Sequence, residues 1–121
     1  MAFKEHLERA VSEVPGALLC TLMGHDGIAI ETYETESSVE REVMNSTVEL
    51  TGLLNQVRQS TAGLKSGNLK ELVVEGHELT AIVRPVTDEY FVALLMEPHG
   101  NFGKGRYLLR VISPRLVAEL A

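Results

Sequence analysis

SSVEREVMNSTVELTGLLNQVRQSTAGL, residues Ser37 to Leu64, is the stretch whose periodicity decides the fold. Val39, Val43, Leu50, Leu54, Val57, Thr61 and Leu64 recur every three or four positions, which at about 100° per residue gathers them on one stripe of an α-helix. Such a stripe needs a core to cover. Ser37 followed by Glu40 reads as a capping box, and Glu40 and Glu42 fall in the first turn, where the helix dipole favours negative charge. Gly63 and the run Lys65-Ser66-Gly67-Asn68 close the pattern. The spacing predicts one helix of roughly 25 residues, about 37 Å long at about 1.5 Å per residue.

On the opposite side the same projection gathers Met44, Val48, Thr51, Gly52, Asn55, Gln59 and Ala62, with Arg41, Glu42, Glu49 and Arg58 displaced to the flanks. A fully solvated face would carry Glu and Lys at most of these positions, and Gly52 costs about 1 kcal/mol relative to Ala in a helix interior. A contact with another protein explains so bland a strip. A weakly polar surface with an incidental glycine is the plain alternative.

Working outward, Ala17 to Met23 before this helix and Tyr90 to Met96 after it are apolar on both parities, as central strands covered on both faces must be. Ile28 to Glu34 follows an Asp26-Gly27 hairpin signal, with Ile28 and Ile30 alternating against Glu31. Leu69 to Glu75 carries Lys70, Glu71 and Glu75. Both have the polarity of edge strands. Leu79 to Arg84 lies between Gly76-His77 and Pro85. A short helix from Phe3 to Val14 ends at Pro15-Gly16, and Asn101 caps a last helix in which Leu108, Leu109, Ile112, Leu116 and Leu120 form a stripe. Pro114 predicts a kink or a restart there, with Ser113 as the new cap.

The predicted class is α+β, with the order α-β-β-α-β-β-β-α. Strands apolar on both faces belong inside and charged ones outside, so a five-stranded antiparallel sheet of order 2-1-5-4-3 satisfies every hairpin at once. Helices on both faces make it three-layered, α/β/α.

At 121 residues the chain is expected to form one domain, residues 1–121. It has 17 acidic and 11 basic residues and a net charge of −6, so no general field draws a phosphate backbone, and nucleic acid is not an expected partner. Cys20 is the only cysteine, which rules out an internal disulfide and makes a cytoplasmic location the simpler expectation. No signal peptide and no membrane span is expected, since the apolar runs fall far short of about 20 residues.

Residues with chemistry to offer are scattered. His6, His25, His77 and His99 lie at wide, irregular spacing that places no metal ligands together. Cys20, inside an apolar strand, reads as a small buried hydrophobe. Asp26 has turn geometry to explain it and lacks the further oxygen ligands of a calcium loop. Gly103-Lys104 before a helix fails as a phosphate loop at Pro98 and again at Gly105. No acid, base or nucleophile set emerges, so neither an enzyme nor a cofactor is expected.

The order of these elements, together with Val14-Pro15-Gly16-Ala17, Leu22-Met23-Gly24-His25-Asp26-Gly27-Ile28-Ala29-Ile30 and Asn101-Phe102-Gly103-Lys104-Gly105-Arg106-Tyr107-Leu108-Leu109-Arg110, resembles the Roadblock family of dynein light chains and bacterial regulators of Ras-like GTPases. That resemblance, which covers nearly the whole chain, implies a profilin-like sheet and a homodimer. The edge strands of two subunits would pair, and their long helices would lie side by side. Carried onto this chain, the dimer contact comprises Leu69, Glu71 and Val73 on the strand, and Met44, Val48, Thr51, Gly52, Asn55 and Gln59 on the helix. It further implies that a Ras-like small GTPase docks across the paired helices, with Glu42, Asn45, Glu49 and Gln56 facing it, for a GTPase-activating or scaffolding role. Arg41 and Arg58 are candidate arginine fingers, although a salt-bridged or solvated arginine is the expected state of each. The alternative function is a small-ligand sensor of similar layered shape, for which Thr21 and Thr80 are the available polar groups.

Overall fold

The computed structural model describes residues 3–120, so Met1 and Ala2 of the opening segment lie outside the described residues. The chain runs α1 (Phe3–Glu13), β1 (Ala17–Gly24), β2 (Ala29–Glu34), α2 (Glu36–Glu40), α3 (Val43–Ala62), β3 (Leu72–Glu75), β4 (Thr80–Pro85), β5 (Tyr90–Met96) and α4 (Phe102–Leu120). All strand pairs are antiparallel and the sheet order is β2-β1-β5-β4-β3, as the distribution of apolar and charged residues predicts.

Alternation along the central strands builds two cores. Cys20, Leu22, Ile82, Val92, Leu94 and Met96 point to one face, where α1 and α4 bury Leu7, Ala10, Leu108, Leu109, Ile112 and Leu116. Leu19, Met23, Ala81, Val83, Phe91, Ala93 and Leu95 point to the other, under Val43 and Leu54 of α3. A register irregularity between Ala17 and Leu19 lets the adjacent Leu18 and Leu19 both serve this second core.

Three element boundaries differ from those the sequence predicts. The helix over Ser37 to Leu64 is two helices, because Glu42 takes a left-handed conformation at φ 52, ψ 43. Thr35, not Ser37, caps the first by accepting from the Ser38 amide at 3.1 Å. The break turns Val39 out to 60% exposure, and Leu64 lies beyond the helix and is exposed. Secondly, Ile28 and Ile30 do not face the core: the bulge opposite Leu22 and Met23 starts β2 at Ala29, and Ile28 is 69% exposed at the turn. Thirdly, β3 spans only Leu72–Glu75, leaving Leu69, Lys70 and Glu71 in the approach to it.

Asn101 caps α4 as its position predicts, accepting from the Lys104 amide at 3.0 Å. The helix does not restart at Ser113. It continues through Pro114, and the Ser113 hydroxyl donates back to the Leu109 carbonyl at 2.6 Å. Proline deprives the Arg110 carbonyl of its intrahelical donor, but both residues lie on the exposed side of the helix, where that loss costs less than in a core. Pro114→Ala restores that bond. It should raise stability by about 1–2 kcal/mol, less than the ~3 kcal/mol of a fully interior proline, and the shift of the urea midpoint measures it. Among the described residues no helix is long and apolar enough to cross a membrane.

Candidate functional site

α3 packs over β1 and β5 with Val43, Thr47, Thr51 and Leu54 beneath it. The Thr47 hydroxyl returns to the Val43 carbonyl at 3.1 Å, and that of Thr51 donates to the Met23 sulfur at 3.6 Å. Both threonines therefore bury without an unpaired donor. Thr51 is only 6% exposed, so it faces inward rather than along the outer strip.

The rest of α3 divides into two flanks and a ridge. One flank looks to the β1–β2 turn: Val48 and Thr51 stand over Gly27, and the Asn55 amide donates to the His25 carbonyl at 2.8 Å. Met44, half-buried, joins the core beneath. The other flank looks to the β3–β4 side. Ser46, Glu49, Leu50 and Leu53 form one wall of an open, mostly apolar groove of about 490 Å³, and Val74, Leu79 and Ala81 form its floor and far wall. Between the flanks Asn45, Glu49, Gly52 and Gln56 make an exposed ridge, with Gln59 and Ala62 exposed further along. Nothing stands within 4 Å of where a Gly52 side chain would begin. Gly52→Ala should thus raise stability by about 0.5–1 kcal/mol with no change of assembly, read by thermal unfolding and light scattering.

The groove opens onto the free margin of the sheet. β3 pairs only with β4 among the described residues, so its other side offers unpaired backbone groups. Leu72 and Val74 pack toward α3, Val73 toward α4, and Leu69 rests half-buried against the α3-side core. Glu71 is already occupied. One carboxylate oxygen accepts from Arg84 Nη1 at 3.3 Å, and the other from Arg106 Nε at 2.8 Å and Nη2 at 2.7 Å, which ties the approach of β3 to β4 and α4.

The predicted contact residues are therefore not all brought together. Val48 and Asn55 lie on the flank away from β3, and Leu53, Leu50 and Ser46 lie on the flank beside it. Leu53 belonged to neither predicted stripe; its signal was an apolar arc, Leu50-Leu53-Leu54-Val57, wider than the core alone requires.

Neither candidate arginine projects freely. The Arg41 guanidinium is held by the Glu97 carboxylate and donates to the Glu78 carbonyl at 3.2 Å, and Arg58 reaches the Asp88 carbonyl at 3.4 Å. Cys20 is fully buried, and burial pushes its thiol far above the usual range. His25 lies against Phe91 with ring centroids 5.4 Å apart. Burial, and then the charge of Arg58, hold its pKa below the ordinary histidine value. Its Nε2 sits 3.4 Å from the Thr87 carbonyl, and Nδ1 has no partner among the described residues, so the neutral ring carries its proton on Nε2. No metal-sized cluster of His, Cys, Asp and Glu occurs among the described residues.

No protein-family model and no curated protein matches the chain. Among solved structures, MglC from Myxococcus xanthus is similar at 41% identity and a TM-score of 0.73, over 98% of this chain and 99% of that one. A Roadblock/LC7 domain from Streptomyces avermitilis shares the fold at 16% identity and a TM-score of 0.71, over 93% and 95% of the two chains. MglB in a tetrameric arrangement shares it at 18% and 0.81, over 95% and 85%. The full-length relationship to MglC, on the same sheet and helices, shows that this chain belongs to the Roadblock family.

Proposed function

We propose that two copies of this chain pair through their β3 margins, and that the pair presents the ridges of two α3 helices to a Ras-like small GTPase. The observation that carries the pairing is the continuity of an unpaired strand with an apolar groove beside it. Leu72, Val73 and Val74 leave most of this edge uncharged, with Glu75 the one charge within the strand, and Leu53 is 41% exposed over the groove. A two-fold axis at β3 makes one ten-stranded sheet and lays the Leu50 and Leu53 flank of each α3 against its mate. The contact on the helix is then Ser46, Glu49, Leu50 and Leu53 rather than Met44, Val48, Gly52 and Asn55. Glu42, Asn45 and Gln56 stay at the exposed rim for the GTPase, while Glu49 stands at the border between that ridge and the dimer contact.

Regulation by docking suits this geometry better than insertion of an arginine, because Arg41 and Arg58 are both held within the chain. A small-ligand sensor needs an enclosed cavity with converging polar groups. The groove is open and mostly apolar, which suits another protein surface.

The test is binding to a purified Ras-like GTPase of the same organism, loaded with GDP or with a non-hydrolysable GTP analogue. The expected result is a complex with two copies of this chain that forms in one nucleotide state and resists Arg41→Ala and Arg58→Ala. Absence of binding in both states refutes the GTPase role.

A further inference from the structure

α4 and the α2–α3 layer across the sheet carry opposite charge, although α1, beside α4, adds the exposed Glu5, Glu8 and Glu13. α4 holds four of the chain's 11 basic residues, Lys104, Arg106, Arg110 and Arg115, against one acid, Glu119. All four bases are exposed, as are Tyr107 and Val117 beside them. Arg106 is engaged by Glu71, whereas Lys104 and Arg110 have no ion pair among the described residues. Across the sheet, Glu36 and Glu40 of α2, Glu42 at the break and Glu49 of α3 are exposed, as is the apolar Val39. The one arginine among them, Arg41, is taken by Glu97.

We infer that α4 of one copy docks on the glutamate-rich α2–α3 layer of another, so that edge-paired dimers stack back to front. Within one copy the sheet keeps the two layers apart, so their complementarity is usable only between copies. Residues 36–62 carry the acids Glu36, Glu40, Glu42 and Glu49 against Arg41 and Arg58, each of which is bonded within its own copy, which makes a second copy's α2–α3 layer a surface matched to α4 in both charge and apolar content. The net charge of −6 opposes approach at long range, but beyond about 8–10 Å that repulsion is screened at physiological salt, whereas touching charges are screened far less. The contact joins unlike faces and does not close on itself, so it builds stacks instead of one further closed pair. If the docking reading above holds, stacking covers the ridge offered to the GTPase, and the two events exclude each other.

Sedimentation velocity from micromolar to millimolar protein, at low and high salt, tests this. Species heavier than the dimer should grow with concentration and shrink in high salt. Lys104→Glu combined with Arg110→Glu should raise the concentration of half-stacking at least about tenfold and leave the dimer intact. A Glu36→Lys, Glu40→Lys chain should likewise fail to stack alone, and mixing the two should restore stacking. Stacks of single copies would support this contact while refuting the β3 pairing. A single mass throughout, or charge-reversed α4 that stacks like the wild type, overturns the inference.

Discussion

Leu53→Glu should leave the chain folded and make it a monomer. In one copy Leu53 is 41% exposed on the upper wall of the groove, so a glutamate there buries no charge and the unfolding midpoint should hardly move. In the pair, the two-fold axis sets this wall against its mate, and each new carboxylate loses water without gaining a cation. An unpaired charge at a buried contact costs about 3–5 kcal/mol, which is at least a 100-fold rise in dissociation constant. Analytical ultracentrifugation reads the mass and circular dichroism the fold. Gly52→Ala, on the ridge, is the control that must remain dimeric. A Leu53→Glu chain still paired at micromolar concentration would remove the groove from the contact, and with it the placement of the GTPase-facing ridge.

The strand order was legible because burial leaves a direct mark on composition. β1 and β5 can be apolar on both parities only when both faces are covered, and Lys70, Glu71 and Glu75 can only flank a margin. The break in the long helix was not legible. Glu42 makes it in a left-handed conformation with no glycine or asparagine to announce one, so Val39, before the break, leaves the stripe that Val43 and Leu54 keep. Thr47 and Thr51 hid the true inward face, since hydroxyls that return to the Val43 carbonyl or reach the Met23 sulfur let polar letters act as core. Val48 and Asn55, on the outward strip of the projection, lean instead on the β1–β2 turn, and Met44 packs on the core beneath α3. The groove depends on where β3 stops beneath α3, a relation between elements distant in sequence that periodicity within either one does not contain.

Gly16→Ala should cost about 2–5 kcal/mol, although Gly16 belongs to neither the groove nor the α3 ridge. The residue has φ +89, a left-handed value that costs a residue with a side chain about 1–2 kcal/mol. Its Cβ would also stand 2.6 Å from the Gly100 Cα, which is backbone and cannot swing aside. Here the α1–β1 and β5–α4 links touch. The Glu97 amide donates to the Gly16 carbonyl and the Asn101 amide to the Pro15 carbonyl, each at 2.8 Å. Forcing the links apart strains both bonds, a further cost of about 1–3 kcal/mol. Gly67→Ala isolates the conformational part: φ is +94 with open space around it, so only the smaller penalty should appear. Gly100 completes the contact, with its own Cβ position 2.7 Å from the Pro15 oxygen. Once Gly16→Ala has separated the links, Gly100→Ala should add less than it costs alone. Urea unfolding of the four chains measures this coupling. Equal costs at Gly16 and Gly67 would show that the links yield freely, and the start of α4 would then lose its anchor to the α1–β1 turn.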